Sequence, residues 1–210
     1  MAGTHEQDLL LRAALLDGAA AIDAWHAWRE RTSIDALDRD SQWLLPRLFY
    51  NLRANGVSLR QLGRYHHVYR HNWYKNNLAL RRAQPLLDRL QEMDGRSPVV
   101  IGGAAMALQQ SEAIGARPFE AVDVLVASSS FGVALDPSES AVAGTVLRTS
   151  LFGTPWDDLV AARAIACEWM HARWLVPAPA DHLVAIAVYG PEWDRRSNLL
   201  WLADAAMLIR

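Results

Sequence analysis

Residues 99–126 read VVIGGAAMALQQSEAIGARPFEAVDVLV, and the change of texture along this stretch decides the fold. Pro98-Val-Val-Ile101 is a short apolar run, Gly102-Gly103 follows, and AAMALQQSEA then looks helical. That order is strand, glycine turn, helix. VDVLVA at 122–127 is short and β-branched, which suits a buried strand, and Ser128-Ser-Ser130 closes it. A third strand is predicted over about 142–151 (VAGTVLRTSL). Three short strands close together predict a small mixed sheet.

Helical patterns lie on both sides of this core. From Glu6 to about Glu30, Leu9, Ala13, Leu16, Ala20, Ala24 and Ala27 recur every three or four positions, with Trp25 and Trp28 widening the stripe, so one amphipathic helix is predicted there. Gln42 to Ala54 reads as a second helix that Asn55-Gly56 ends. Ser58 opens a long pattern from Leu59 to about Met93, in which Pro85 marks a kink or break. The texture changes at Asp94-Gly95. Helices resume at Pro155, Ala180 and Ser197. The fold class expected is α+β: a helical region 1–97, a sheet core 98–153 and C-terminal helices 154–210, in one compact body.

The chain has 210 residues, 51% apolar and 21% charged, with a formal net charge of -2. That composition places it among ordinary globular proteins. With no overall basic charge, a nucleic-acid partner is not expected, although a local basic face is compatible with these totals. Cys167 is the only cysteine, so the chain holds no disulfide of its own and no thiolate zinc site; its Ala-rich surroundings read as helix. LLLRAALL near the start is interrupted by charge and lacks a cationic lead-in, unlike a signal peptide. No apolar run reaches the ~20 residues a spanning helix needs, and a cytoplasmic protein is expected.

Five ordered motifs carry a resemblance. Ala24-Trp25, Trp28 and Leu44-Leu45-Pro46 come first, then Ile101 to Leu108 (IGGAAMAL) and Gly115 to Val126 (GARPFEAVDVLV). Pro179-Ala-Asp-His-Leu183 and Trp201-Leu-Ala-Asp-Ala205 complete the set. In this order they resemble a bacterial group within the polymerase β type nucleotidyltransferase superfamily. The resemblance implies a sheet on which paired carboxylates and a third acid hold two Mg²⁺ ions for transfer of a nucleoside monophosphate from an NTP. It also implies a glycine turn, Gly102 and Gly103, that holds phosphate at a helix N-terminus, with Arg117 as a further phosphate contact. Asp123 is then the metal ligand and catalytic carboxylate.

The chain departs from that pattern where the chemistry is concentrated. Ala121 stands at the first position of the D.D pair, Val146 aligns with the third acid, and Gly102 replaces a common Lys. Two-metal transfer loses orders of magnitude in rate without its carboxylates. Asp136, Glu139, Asp157 and Glu120 are the acids that could substitute from another direction. The expected function is therefore a nucleotidyltransferase-like protein that binds a nucleotide, peptide or partner, with no cofactor, as a biosynthetic accessory factor. One alternative is an active nucleotidyltransferase using Mg²⁺ and an NTP on a small molecule or protein; another is a noncanonical metal-free enzyme reusing the cleft.

Other candidates have plainer readings. Asp123 can pair with an arginine such as Arg117, and Gly102-Gly103 can serve close strand–helix packing alone. His67 and His71 stand at i, i+4, a zinc spacing without a third ligand nearby. Arg53, Arg60, Arg64, Arg70, Lys75, Arg81 and Arg82 interleave with Tyr65, Tyr69, Trp73 and Tyr74, a pattern that suits either phosphate contacts with stacking or a solvated helix face. Ser, His and Asp residues form no recognisable triad order, and His182 has no assigned chemical step.

Overall fold

A computed structural model describes residues 4–94, 97–126, 143–153, 155–193 and 197–210. The expected strand residues Ala127 and Val142, the closing serines 128–130, Gly95, and the acids Asp136 and Glu139 lie outside them. The elements in chain order are α1 (His5–Leu15), α2 (Gly18–Arg31), α3 (Arg39–Ala54), α4 (Leu59–Asp94), β1 (Val99–Ile101), α5 (Gly102–Gln109), β2 (Val122–Leu125), β3 (Thr145–Arg148), α6 (Trp156–Ala162), β4 (Ile165–Trp169), β5 (Ala172–Val176), α7 (Pro179–Trp193) and α8 (Asn198–Ile209). The class is α+β, with helical regions on both sides of a mixed sheet.

The stripe read as one helix from Glu6 to Glu30 is two. Its periodicity survives the break, which is why the sequence conceals it, but Gly18 takes φ +60, a conformation costly for other residues. Asn55 holds the junction by accepting from the Gly18 amide at 2.6 Å. Buried Asn51 binds the carbonyls of Ala13 and Leu16, so α3 ties down the end of α1. Pro85 does not end α4, which continues through it. The proline costs that helix a hydrogen bond.

The sheet order is β3-β2-β1-β5-β4. β1 pairs antiparallel with β2 and parallel with β5, β2 pairs parallel with β3, and β4 pairs antiparallel with β5. Because side chains alternate along a strand, β1, β2 and β5 each feed two cores. Val100, Val122, Val124, Trp174 and Val176 pack with Ala104, Ala105 and Leu108 of α5 and with Leu80, Leu86 and Leu90 of α4. Val99, Ile101 and Leu125 face Leu151, Val160, Tyr189 and Trp193. A third core joins α1, α2, α3 and the first half of α4 to Leu200 and Ala203 of α8. There Trp25 and Trp28 are buried, each worth about 1.5–3 kcal/mol or more.

Cys167 corrects the sequence reading most clearly: it lies on strand β4, not in a helix. β4 and β5 form a hairpin with Cys167 opposite Trp174 and Trp169 opposite Ala172. The connecting residues Met170 (φ 51) and His171 (φ 67) both adopt left-handed backbone. This is the two-residue type I′ geometry that Asn-Gly normally supplies. A turn written Met-His gives no sequence signal, so the hairpin was not expected.

The same strain yields a measurable outcome. Met170→Asn with His171→Gly is expected to stabilise the protein by roughly 1 kcal/mol, read as a higher urea midpoint at unchanged m-value. An unchanged or lower midpoint would contradict the turn geometry.

Candidate functional site

The chain from Ile114 to Pro118 runs without regular structure, and buried asparagines of α4 fix its course. Asn72 donates to the Gly115 carbonyl at 2.8 Å; Asn76 donates to the carbonyls of Ile114 and Arg117. Gly115 is required, because an added Cβ would lie 2.8 Å from the Trp73 Cβ. This loop delivers Arg117 into the interior. Its guanidinium forms a bidentate pair with Asp204 of α8, at 3.0 Å and 2.8 Å from Nε and 2.7 Å from Nη2, and also donates to the Pro118 carbonyl. Both side chains are at least 95% buried.

Gly103 completes this arrangement. A Cβ there would sit 3.0–3.2 Å from the Arg117 guanidinium, so any side chain would press on the ion pair. Gly102 has φ +63, and its Cβ position lies 3.3 Å from the Trp193 ring. The two glycines thus have different packing duties. Arg117 is thus buried against Gly103 with Asp204 as a carboxylate partner.

His182, left without a role by the sequence, is fully buried beside the same group. Its Nδ1 lies 3.2 Å from Gln109 Oε1, while the Gln109 amide donates to the Pro177 carbonyl. That chain assigns the proton to Nδ1. Burial pushes the imidazole down to about 4; a contact with the Gly102 backbone opposes this and the charge of Arg117 adds to it.

Asp123 alternates with Val122 and Val124 on β2 and lies in a cleft of about 220 Å³ lined by Trp43, Gly103, Pro118, Phe119, Glu120, Ala121, Asp123, Val146, Arg148, Glu192, Trp193, Ser197 and Leu200. The parallel ladder sets Asp123 directly beside Val146, and Ala121 shares the Asp123 face two residues earlier. Asp123 pairs with Arg148, whose Nε donates to Asp123 Oδ1 at 2.9 Å. Nη1 of the same guanidinium lies 3.6 Å from Glu192 of α7. A protein cation therefore sits between two carboxylates at the cleft.

Gly103, Ala121, Asp123, Val146 and Glu120 thus converge on the cleft, whereas Arg117 faces the interior. Asp157 is occupied elsewhere: it accepts from the Ser150 hydroxyl at 2.6 Å and from the amides of Leu151 and Phe152 at 3.0 Å. Burial raises its carboxyl, but these hydrogen bonds outweigh that and hold it below its ordinary value. His67 and His71 are exposed, and no group of three His, Cys, Asp or Glu suited to a metal occurs among the described residues. No described helix is long and apolar enough to cross a membrane.

Arg148, Trp43, Phe119, Glu192 and Trp193 were missed as site residues. Arg148 was within reach, since it follows Val146 by two on a strand and must share its face. The aromatic walls come from elements distant in sequence and carried no local signal. No family model, curated protein or solved structure matches the chain.

Two outcomes follow from the buried charges. Asp204→Ala leaves Arg117 unpaired in the interior and is expected to cost about 3–5 kcal/mol, whereas Arg117→Met with Asp204→Leu is expected to cost much less. Equal losses in chemical denaturation would show that the pair's charge complementarity is not what matters. For His182 the folded form resists protonation, so the unfolded chain binds more protons between pH 6.5 and about 4, and stability falls as pH falls through that window. From pH 6.5 to 5 the loss attributable to His182 is roughly 1–2 kcal/mol, and His182→Gln should flatten the slope of stability against pH. An unaltered slope would remove His182 as its source.

Proposed function

We propose that this protein is a nucleotidyltransferase-like binding protein whose cleft holds a peptide segment or side chain of a partner, in the manner of a biosynthetic accessory factor, in place of two-metal chemistry. The observation that carries this reading is the Arg148–Asp123 ion pair. It places a guanidinium against the one acid left at the paired-carboxylate position, with Ala121 and Val146 as its neighbours on that face. A metal ion competing for Asp123 would have to displace that charge-assisted hydrogen bond.

Size and access support a partner segment over a nucleotide. The cleft, at about 220 Å³, is below the ~300–1,000 Å³ usual for whole small-molecule ligands. Trp193 packs over Gly102, covering part of the glycine turn. Trp43, Phe119 and Trp193 offer aromatic walls, and Asp123, Arg148 and Ser197 offer polar contacts, a mixture suited to anchoring one inserted side chain.

Active nucleotidyl transfer is the second reading, favoured by Gly103 and Asp123 lining the same cleft. Calorimetry with ATP and Mg²⁺, paired with a pyrophosphate-release assay across the four NTPs, separates the two. The binding-protein reading expects no Mg²⁺-dependent NTP binding and no pyrophosphate above background. Turnover that Asp123→Asn abolishes would replace it with the second reading.

A further inference from the structure

The distribution of charge along α3 and α4 is independent of the cleft. From Ser41 to Leu87 the chain contains no Asp or Glu, while it contains Arg47, Arg53, Arg60, Arg64, Arg70, Lys75, Arg81 and Arg82. In a protein of net charge -2, the compensating acids lie elsewhere in the sequence. A helix turns 100° per residue, so Arg60, Arg64, His67, Arg70, His71, Tyr74, Lys75, Arg81 and Arg82 all fall within one sector of α4, and every one of them is exposed. Arg64 pairs with Asp35. Arg60, Arg70, Lys75, Arg81 and Arg82 have no ion-pair partner among the described residues. At ~1.5 Å per residue, Arg60 to Arg82 spans about 33 Å.

Two features distinguish this stripe from an ordinary solvated face. Tyr74 stands 61% exposed in its middle, between Arg70 and Lys75, whereas Tyr65 of the same helix is buried. At its N-terminal end the stripe opens into a groove of about 500 Å³ lined by Arg29, Arg60, Arg64, Thr32 and Ser33. The groove adds a third arginine and two hydroxyl donors to the same surface.

We propose that this face of α4 binds the phosphate backbone of a single-stranded nucleic acid, with Tyr74 stacking on a base. Protein interfaces use charges of both signs to fix register, but from Arg60 to Arg82, about 33 Å, this helix face contributes only cations of its own, with Asp35 held against Arg64 at one end; a run of cations of this length complements a polyanion. Arginine predominates among the unpaired cations, and its planar fork matches phosphate oxygens. Exposed aromatic rings between such cations are the stacking platforms of single-strand binders. The overall charge gave no reason to expect this partner, because the sum hides the separation.

Fluorescence anisotropy of the full chain with a labelled 20-nucleotide single strand tests the proposal. About four phosphate contacts predict a slope of log K against log salt near -3, an affinity loss of roughly fifty-fold between 50 and 200 mM salt. Arg70→Ala with Arg81→Ala and Arg82→Ala should reduce that slope by about 2, and Tyr74→Ala should weaken binding about tenfold or more. These positions are exposed, and circular dichroism of each variant verifies that it is folded. No binding at 50 mM salt, a slope unmoved by the triple variant, or equal affinity for polyglutamate with Tyr74→Ala silent would each overturn the proposal. The last result would assign the face to an acidic protein.

Discussion

The ion pair between Arg117 and Asp204 is the constraint on which the rest of the molecule depends. Two charges buried this deeply survive only when each is fully engaged, and engaging them fixes much else. Arg117 must be delivered by a loop that α4 clamps through Asn72 and Asn76. Asp204 must be presented by α8, which also contributes Leu200 and Ala203 to the helical core. Gly103 leaves the guanidinium the room that a Cβ would crowd. One polar contact therefore ties the helical region, the glycine turn and the last helix into a common frame.

The cleft is built on top of that frame with the opposite logic. Below the glycine turn the charges are sealed from water; at the cleft Arg148 and Glu192 remain partly exposed. On β2 the period of a strand divides the side chains: Val122 and Val124 enter one core while Asp123 faces the other side. Trp193 joins the layers, since its ring packs against Gly102 while it also lines the cleft. A movement of the end of α7 would therefore be felt at both.

The parts of the fold legible in the sequence were those written in backbone preference. The apolar run at Val99–Ile101, the Gly102 turn and the β-branched run at Val122–Leu125 each have a local physical cause, and the structure places strand, turn and strand there. What stayed hidden has no local cause. The hairpin at Met170-His171 is strained in its own turn and exists because Trp174 and Val176 are buried against the sheet's helices. The break at Gly18 preserves the apolar stripe on either side. At the candidate site, Asp123, Ala121 and Val146 were readable together because a ladder register of one sheet relates them. Arg117 was readable only as a choice between phosphate and carboxylate, because the carboxylate it pairs with, Asp204, lies 87 residues away.

The acid-free span from Ser41 to Leu87 has a consequence for the whole molecule. A body nearly neutral in sum, with a third of its 21 Lys and Arg residues along one helix, distributes its charge unevenly. Such a molecule turns as it approaches a charged surface, so that its first encounters are oriented even where its net attraction is small. Its isoelectric point, near 6.4, describes an average that no single side of the protein displays.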